Sequence, residues 1–299
     1  MKVVCIGNVA YDITIPVEEY PIENTKNRVN KRVEGGGGPA SNAAYLLGKW
    51  GIDVHFIGVT GDDEFGKQII EEFKSVNVNL KYLQVDQNSK TTASFIIANT
   101  KNGSRTILSY REPSMELDKI QIDFKPDIIL VDGQEFKVAK EIILNNKKAI
   151  SVIDAGRVTD NVVELCKIVD YVVCSREFAE TITGIKVDYN NKDTLIQNYL
   201  KLKDIFPGEV VITLESKGSL YFQNNKLMKM PSLKVKALDS TGAGDIFHGA
   251  FVYGLSKNWP IDKICKLSNI AGALSVTRLG GRRSVFAKEE IKEIYYEFE

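Results

Sequence analysis

Asp127-Ile128-Ile129-Leu130-Val131, Ala149-Ile150-Ser151-Val152-Ile153 and Tyr171-Val172-Val173-Cys174 are short, almost wholly apolar runs. Each precedes a stretch whose apolar residues recur at helical spacing: 135–144, 159–166 and 176–183. A run that short with no polar face suits a strand covered on both sides. Strand and helix therefore alternate through this half of the chain. Parallel neighbours need such crossovers, so the alternation predicts an α/β protein with a parallel sheet and helices on both faces.

The same rhythm continues on either side. Val3 to Ile6 is another apolar run, ending at Gly7-Asn8, and 54–59 is a strand leading into a helix at 67–73. The acidic residues between them, Asp62 and Asp63, favour a helix N-terminus and read as structural. Residues 210–214 and 218–222 form a strand and hairpin, and helices follow at 246–255, 261–278 and 288–296. Residues 14–17 and 28–33 break the rhythm, being short and β-prone around the turn Pro21-Ile22-Glu23-Asn24-Thr25. Residues 91–99 and 105–110 alternate around Lys101-Asn102-Gly103-Ser104, a hairpin signal. Together these predict a small appended sheet, with lid segments at about 13–34 and 91–111. With no internal repeat, low-complexity tract or linker in the sequence, residues 1–299 are expected to form one domain carrying that lid.

Lys+Arg and Asp+Glu number 39 each, giving zero net charge, and 43% of the 299 residues are hydrophobic. A neutral balance argues against nucleic acid or an acidic membrane as partner. Cys5, Cys166, Cys174 and Cys265 lie scattered in apolar segments without a CxxC, as expected of reduced thiols in a cytoplasmic protein. The short apolar run at the N-terminus does not read as a signal peptide, and no run approaches the roughly 18 residues of a membrane span.

Chemistry concentrates at Asp239-Ser240-Thr241-Gly242-Ala243-Gly244-Asp245, which runs straight into the apolar helix. Amides bared by glycine at a helix N-terminus form an anion site. A carboxylate at its mouth repels that anion unless it serves another purpose. Asp245 makes sense as the base that takes a proton from a hydroxyl attacking a phosphoryl group held by those amides. The second glycine-rich stretch, Gly35-Gly36-Gly37-Gly38-Pro39-Ala40-Ser41-Asn42, lacks the Lys-Ser/Thr pair of a Walker A loop. It offers main-chain amides and Asn42, which match neutral hydroxyls.

These motifs, some 200 residues apart in the chain, resemble those of the ribokinase-like (PfkB) carbohydrate kinases, and the likeness spans essentially the whole chain. The resemblance implies a three-layer α/β/α core with a doubly wound, mainly parallel sheet and a β lid. It implies ATP as donor, Mg²⁺ as counter-ion and a small-molecule sugar as acceptor. Asp245 then matches the catalytic base, and Gly242, Ala243 and Gly244 the anion hole. Asp12, Gly37, Gly38 and Asn42 match positions that bind acceptor hydroxyls. Ser175, Thr213, Glu215, Gly218 and Asn269 fall on the nucleotide side with Gly242 and Gly244. Asp239, Thr241, Ser275, Arg278, Gly280 and Ser284 resemble a potassium loop, although a guanidinium of Arg282 or Arg283 could replace the ion. Many members carry Asn-x-x-Glu after the strand matching 171–174; here Ser175 replaces the asparagine and Glu177, one place off, is the candidate for Mg²⁺.

The acceptor is expected to be a simple ketose- or ribose-like sugar. Arg28, Lys31, Arg32, Arg105 and Arg111 in the lid would favour a phosphorylated or acidic sugar if they converged on the pocket. A nucleoside would need stacking from Tyr11, Phe95 or Tyr110. A sugar-binding protein without catalysis would be expected to lack Asp245 or the bare amides. Exposed lid edges predict a homodimer.

Overall fold

The computed structural model describes residues 1–189 and 191–295. A nine-stranded sheet forms its centre. Its parallel part runs β11 (Glu209–Thr213), β10 (Tyr171–Ser175), β9 (Ile150–Ala155), β8 (Ile128–Val131), β1 (Lys2–Ile6), β4 (Asp53–Gly61) and β5 (Asn79–Asp86). Two antiparallel strands, β12 (Ser219–Gln223) and β13 (Lys226–Met230), complete the far edge. The strand order reverses around β1, which lies between β4 and β8. In open α/β sheets that reversal leaves a crevice at the carboxyl ends of the strands, where ligands bind.

Alternation along β1 divides the core in two. Val3 and Cys5 pack under α1 (Pro39–Lys49), α7 (Ala243–Ser256) and α8 (Ile261–Ser275), whereas Val4 and Ile6 pack under helices of the opposite layer. That second layer holds α3 (Phe136–Asn145), α4 (Asp160–Cys166), α5 (Arg176–Thr183) and α6 (Lys192–Ile205). Between α1 and α8, every residue of α7 from Ile246 to Ser256 is buried. A helix apolar on all sides must be enclosed on all sides, and this one is fixed at close range. A Cβ at Gly249 would lie 3.1 Å from the Cα of Ala43 on α1. The first turn of α7 is thereby held at the crevice.

The second sheet has the order β3 (Val33–Gly37), β2 (Ala10–Val17), β6 (Ala93–Asn99) and β7 (Arg105–Tyr110). β2 and β6 run parallel; the outer pairs are antiparallel. The strand expected at 28–33 is absent, and residues 28–32 are exposed and irregular. The glycine run takes its place, with Tyr11 opposite Gly36 and Asp12 opposite Gly35. The reason is steric. A Cβ at Gly36 would sit 2.0 Å from Nη1 of Arg282, and that guanidinium is enclosed. Its Nη1 donates to Glu72 at 2.8 Å, its Nη2 donates to Ser41, and its Cζ lies 4.5 Å from the Phe73 ring centre.

Three elements have no counterpart in the expected series: β5, α6 and β13. The helix at 67–73 is longer, α2 (Glu64–Ser75), capped by Asp63, whose carboxylate accepts from the amides of Gly66 and Thr91. The structural reading of Asp63 stands. The helix expected at 261–278 stops at Ser275, where Thr277 and Arg278 tighten the chain by bonding back to Leu274 and Ser275. The last helix is α9 (Lys288–Ile294); position 296, its expected end, lies outside the described residues. Among the described residues no helix is long and apolar enough to cross a membrane.

Gly36→Ala is expected to destabilise the protein by about 1–3 kcal/mol, the range for overfilling a packed site. Chemical denaturation of the two proteins measures this; equal midpoints would mean that the guanidinium gives way freely.

Candidate active site

Gly242 takes a left-handed backbone, φ 76°, and turns the chain into α7, so Ala243, Gly244 and Asp245 form its first turn. The amides there lack intrahelical acceptors. That of Ala243 makes a 3.3 Å bond to the Ser240 carbonyl. Gly244 is exposed, with nothing within 4 Å of the place a side chain would occupy. The anion side of the site is therefore open.

Facing it, the amide Nδ2 of Asn42 donates to Oδ2 of Asp245 at 2.7 Å. Asn42 is 1% exposed, and its Oδ1 has no hydrogen-bond partner among the described residues. A buried carbonyl oxygen left unpaired is costly unless something donates to it. It is the other end of the amide whose nitrogen holds Asp245. Asp12 lies beside them. It is inside β2 of the small sheet, paired with Ser94 on β6. Burial and the neighbouring Asp245 charge push the Asp12 carboxyl up to about 7, against the pull of Ser94 and Arg282. A Cβ at Gly37 would touch the Asp12 carboxylate, and one at Gly38 would lie 2.3 Å from the Asn8 carbonyl oxygen. Glycine at both positions lets the backbone approach the site closely.

Two further carboxylates converge here, both unforeseen. Asp132 accepts from the amides of Asn8 (2.9 Å), Ala40 (3.2 Å) and Gln134 (3.0 Å), tying the ends of β1 and β8 to the start of α1. Asp154, at the end of β9, meets His248 of α7. Burial raises both carboxyls, and the Asp245 charge adds to it. Each follows or ends an apolar run read as a strand, which is the signal that could have found it.

The remaining expected residues fall into separate groups. Ser175 caps α5, accepting from Phe178 at 3.0 Å and donating to the Gly156 carbonyl. Thr213 donates to the Cys174 carbonyl, and Glu215 pairs with Arg176 at 2.9 Å. Gly218, φ 99°, closes the turn into β12, where a Cβ would lie 1.8 Å from the Met230 carbonyl. Asn269 does not offer its amide nitrogen to the cleft: that nitrogen donates to Ser219 and to the same Met230 carbonyl. Glu177 is exposed on the first turn of α5.

In the expected cation loop, Asp239 is 1% exposed and accepts from the amides of Thr241 (2.9 Å) and Gly280 (2.8 Å). The hydroxyls of Ser275 and Ser284 donate to nearby carbonyls, and Arg278 pairs with Glu290. Thr241 Oγ1 is buried and has no hydrogen-bond partner among the described residues. The suggested replacement of an ion by Arg282 is corrected: its guanidinium is committed to Glu72 and Ser41, away from this loop. Arg111 is corrected likewise. It is held by Glu135 at 2.8 Å, with the Met115 carbonyl also bonded, so its charge is spent within the protein. Arg32 pairs with Glu34. Tyr11 stacks on Phe65 at 4.3 Å and bonds Gln68, so its ring is already occupied.

The family model of the pfkB carbohydrate kinases matches residues 1–287. The chain belongs to that family. This pfkB-family chain is thus a sugar kinase, a phosphotransferase with an alcohol group as acceptor. It is 28% identical to ribokinase of Staphylococcus aureus, over 98% of this chain and 99% of that protein. Fructokinase-2 of Zea mays is 28% identical, over 83% and 81% of the two chains. Ribokinase of Arabidopsis thaliana, solved with ribose and ATP, superposes with a TM-score of 0.80 at 22% identity, covering 98% and 97%, and confirms the fold.

The raised Asp12 carboxyl carries a stability consequence. The folded state keeps that proton where the unfolded chain has released it, so stability falls as pH rises from about 4 to about 7. Asp12→Asn removes the penalty and should gain about 1–3 kcal/mol near neutral pH, with no gain below pH about 4. Denaturation at both pH values reads this; an equal difference at both would contradict it.

Proposed function

We propose that this kinase transfers the γ-phosphoryl group of ATP to a hydroxyl of a simple sugar of the ribose or fructose type. The observation that carries the reading is the Asn42–Asp245 contact beside the open amide of Gly244. Asn42 holds one oxygen of Asp245, leaving the other to take the acceptor proton. The unpaired Oδ1 of Asn42 gives an acceptor hydroxyl a second anchor. Asp12 and Ser94, matched in register with Ser109 on β7, set a polar row on the lid that suits a polyol. Amides of the first turn of α7 receive the transferred group, because charge there meets the positive end of the helix.

Open space above Gly244 fits a phosphate. Magnesium, when bound, would neutralise charge on the phosphates, and Glu177 is the acidic side chain on this side with room to approach it. A potassium ion would find the orphaned Thr241 Oγ1 beside Asp239. The lid closes the cleft through its tip. Gly103 accepts from the Ser240 amide at 3.0 Å, and Arg105 donates to the Ser240 hydroxyl at 3.0 Å. Docked there, the lid keeps water from competing with the acceptor. The chain works as one domain with this lid.

A phosphorylated or acidic sugar is the second reading. It is favoured by Arg283, exposed at the rim of a small cavity that Asp12, Thr14 and Arg282 also line. Pairing of Arg111 and Arg32 with carboxylates weighs toward the neutral sugar. We also infer a homodimer through the lid, from exposed Leu108 and Tyr110 on its edge strand β7 and exposed Phe95 on the adjoining β6. Light scattering showing a monomer at working concentration would exclude that assembly.

Phosphate transfer from labelled ATP to a panel of ribose, fructose, sugar phosphates, sugar acids and nucleosides tests the acceptor. Transfer to a neutral pentose or hexose is expected; transfer to nucleosides alone would refute it. Asp245→Asn should lower turnover by about 10²–10⁴-fold, as for a lost general base, with ATP affinity little changed. Near-normal turnover in that variant would remove Asp245 from the role.

A further inference from the structure

His248 is buried, 4% exposed, one turn beyond Asp245 on α7. Its Nδ1 lies 2.6 Å from the Gly244 carbonyl oxygen and 3.1 Å from Oδ2 of Asp154; its Nε2 lies 3.1 Å from the Val173 carbonyl oxygen. Val173 and Asp154 are register partners on adjacent strands. One ring therefore ties the first turn of α7 to β9 and β10 at a single level of the sheet.

The two carbonyl oxygens only accept hydrogen bonds, and the Asp154 carboxylate accepts when ionised. A neutral imidazole has one donor and one acceptor nitrogen. Protonated on Nε2 alone, it would set its Nδ1 lone pair against the Gly244 carbonyl at 2.6 Å. With hydrogen on Nδ1 alone, Nε2 would face the Val173 carbonyl without a proton. Hydrogen on both nitrogens satisfies every contact, with Asp154 as the balancing anion. The charged groups around this pair are otherwise negative: Asp245 on α7 and Asp132 beyond β8.

We propose that His248 is a positioning residue: a doubly protonated ring, balanced by Asp154, that fixes the Gly244 peptide and supplies positive charge behind the anion hole. The inference rests on the reading of that first turn as the site of phosphoryl transfer. The proton sits on Nδ1, shared toward Asp154, and does not move to substrate. Its effect is to hold the peptide joining Gly244 to Asp245, and thus both the amide and the base, at one height above the sheet. It also offsets three carboxylates where an anion must be received.

Histidine occurs at only two positions, 55 and 248, so ¹⁵N-histidine NMR of the whole protein resolves the ring, assigned by the signals lost in His248→Gln. Both ring nitrogens should carry hydrogen at neutral pH in the unaltered protein, and only one in Asp154→Asn. Turnover of Asp154→Asn should fall as pH rises through neutrality, because the proton leaves more readily without its anion, while the unaltered enzyme holds level. His248→Gln should lose about 10²-fold in kcat, as expected of misplaced groups, with KM for ATP and acceptor little changed. A singly protonated ring in the resting protein overturns the proposal. So does an Asp154→Asn profile parallel to the unaltered one. The NMR reading needs no turnover: if Asp245→Asn stays active, the phosphoryl-transfer reading fails while the ring state is still decided.

Discussion

The close approach of α1 and α7 is the constraint on which the cleft depends. Ala43 and Gly249 bring the two helices together so closely that a Cβ at 249 would lie 3.1 Å from the Ala43 Cα, tighter than an ordinary contact. Their first turns then meet at the crevice beside β1, and Asn42 on one reaches Asp245 on the other. Neither helix can turn about its axis, since α7 is apolar and buried on every side. A contact between residues 203 positions apart in the chain is thus held by core packing rather than by the polar groups themselves. Preorganisation of this kind lets a helix N-terminus and a carboxylate act on one small molecule without first being ordered.

That arrangement concentrates negative charge. Asp12, Asp132 and Asp154 each sense the Asp245 charge, and burial raises all three. The protein offsets this with fixed positive elements rather than mobile lysines. Asp132 is surrounded by amides, Asp154 by a histidine, and Asp12 has the enclosed Arg282 behind it. Charges fixed in a low-dielectric wall act more strongly than solvated ones. Asp132 and Asp154 also serve a mechanical purpose, each stitching strand ends to the start of a helix. Stability and electrostatics are therefore handled by the same residues.

Much of this was legible in the sequence, because the strongest signals were local. Apolar runs of four or five residues separated by helical periods located β8, β9, β10 and their crossovers. The Gly242–Asp245 motif placed the first turn of α7, and the likeness to pfkB kinases joined it to Asn42. The misses share a cause: each depends on a neighbour far along the chain. Gly35, Gly36 and Gly37 resemble a loop in sequence, yet they are a strand because Arg282, some 245 residues later, fills the space above them. Arg111 reads as a free cation until Glu135 is placed beside it. Asn269 reads as a ligand contact until its amide is found holding the β12–β13 hairpin. Partner choice for polar side chains is a tertiary property, which a pattern of spacing does not encode.

Arg282 shows how far one such pairing reaches. Its guanidinium joins α2 through Glu72, α1 through Ser41 and the lid strand through the bare face of Gly36. Glu72 in turn accepts from the Gly36 amide at 2.8 Å, so the ion pair and the lid backbone form one connected unit. A side chain at Gly36 would displace the guanidinium, and loss of the guanidinium would leave Glu72 with only the Gly36 amide of this pair of partners. Strand β3 is consequently tied to the core, while β7, at the opposite edge of the same sheet, is exposed along its whole length. The small sheet is thus anchored along its glycine strand β3 and least covered at β7. Asp12 and Asn42 lie on the anchored side of this sheet and on α1, so their positions are fixed by the core, whereas β7 touches it least.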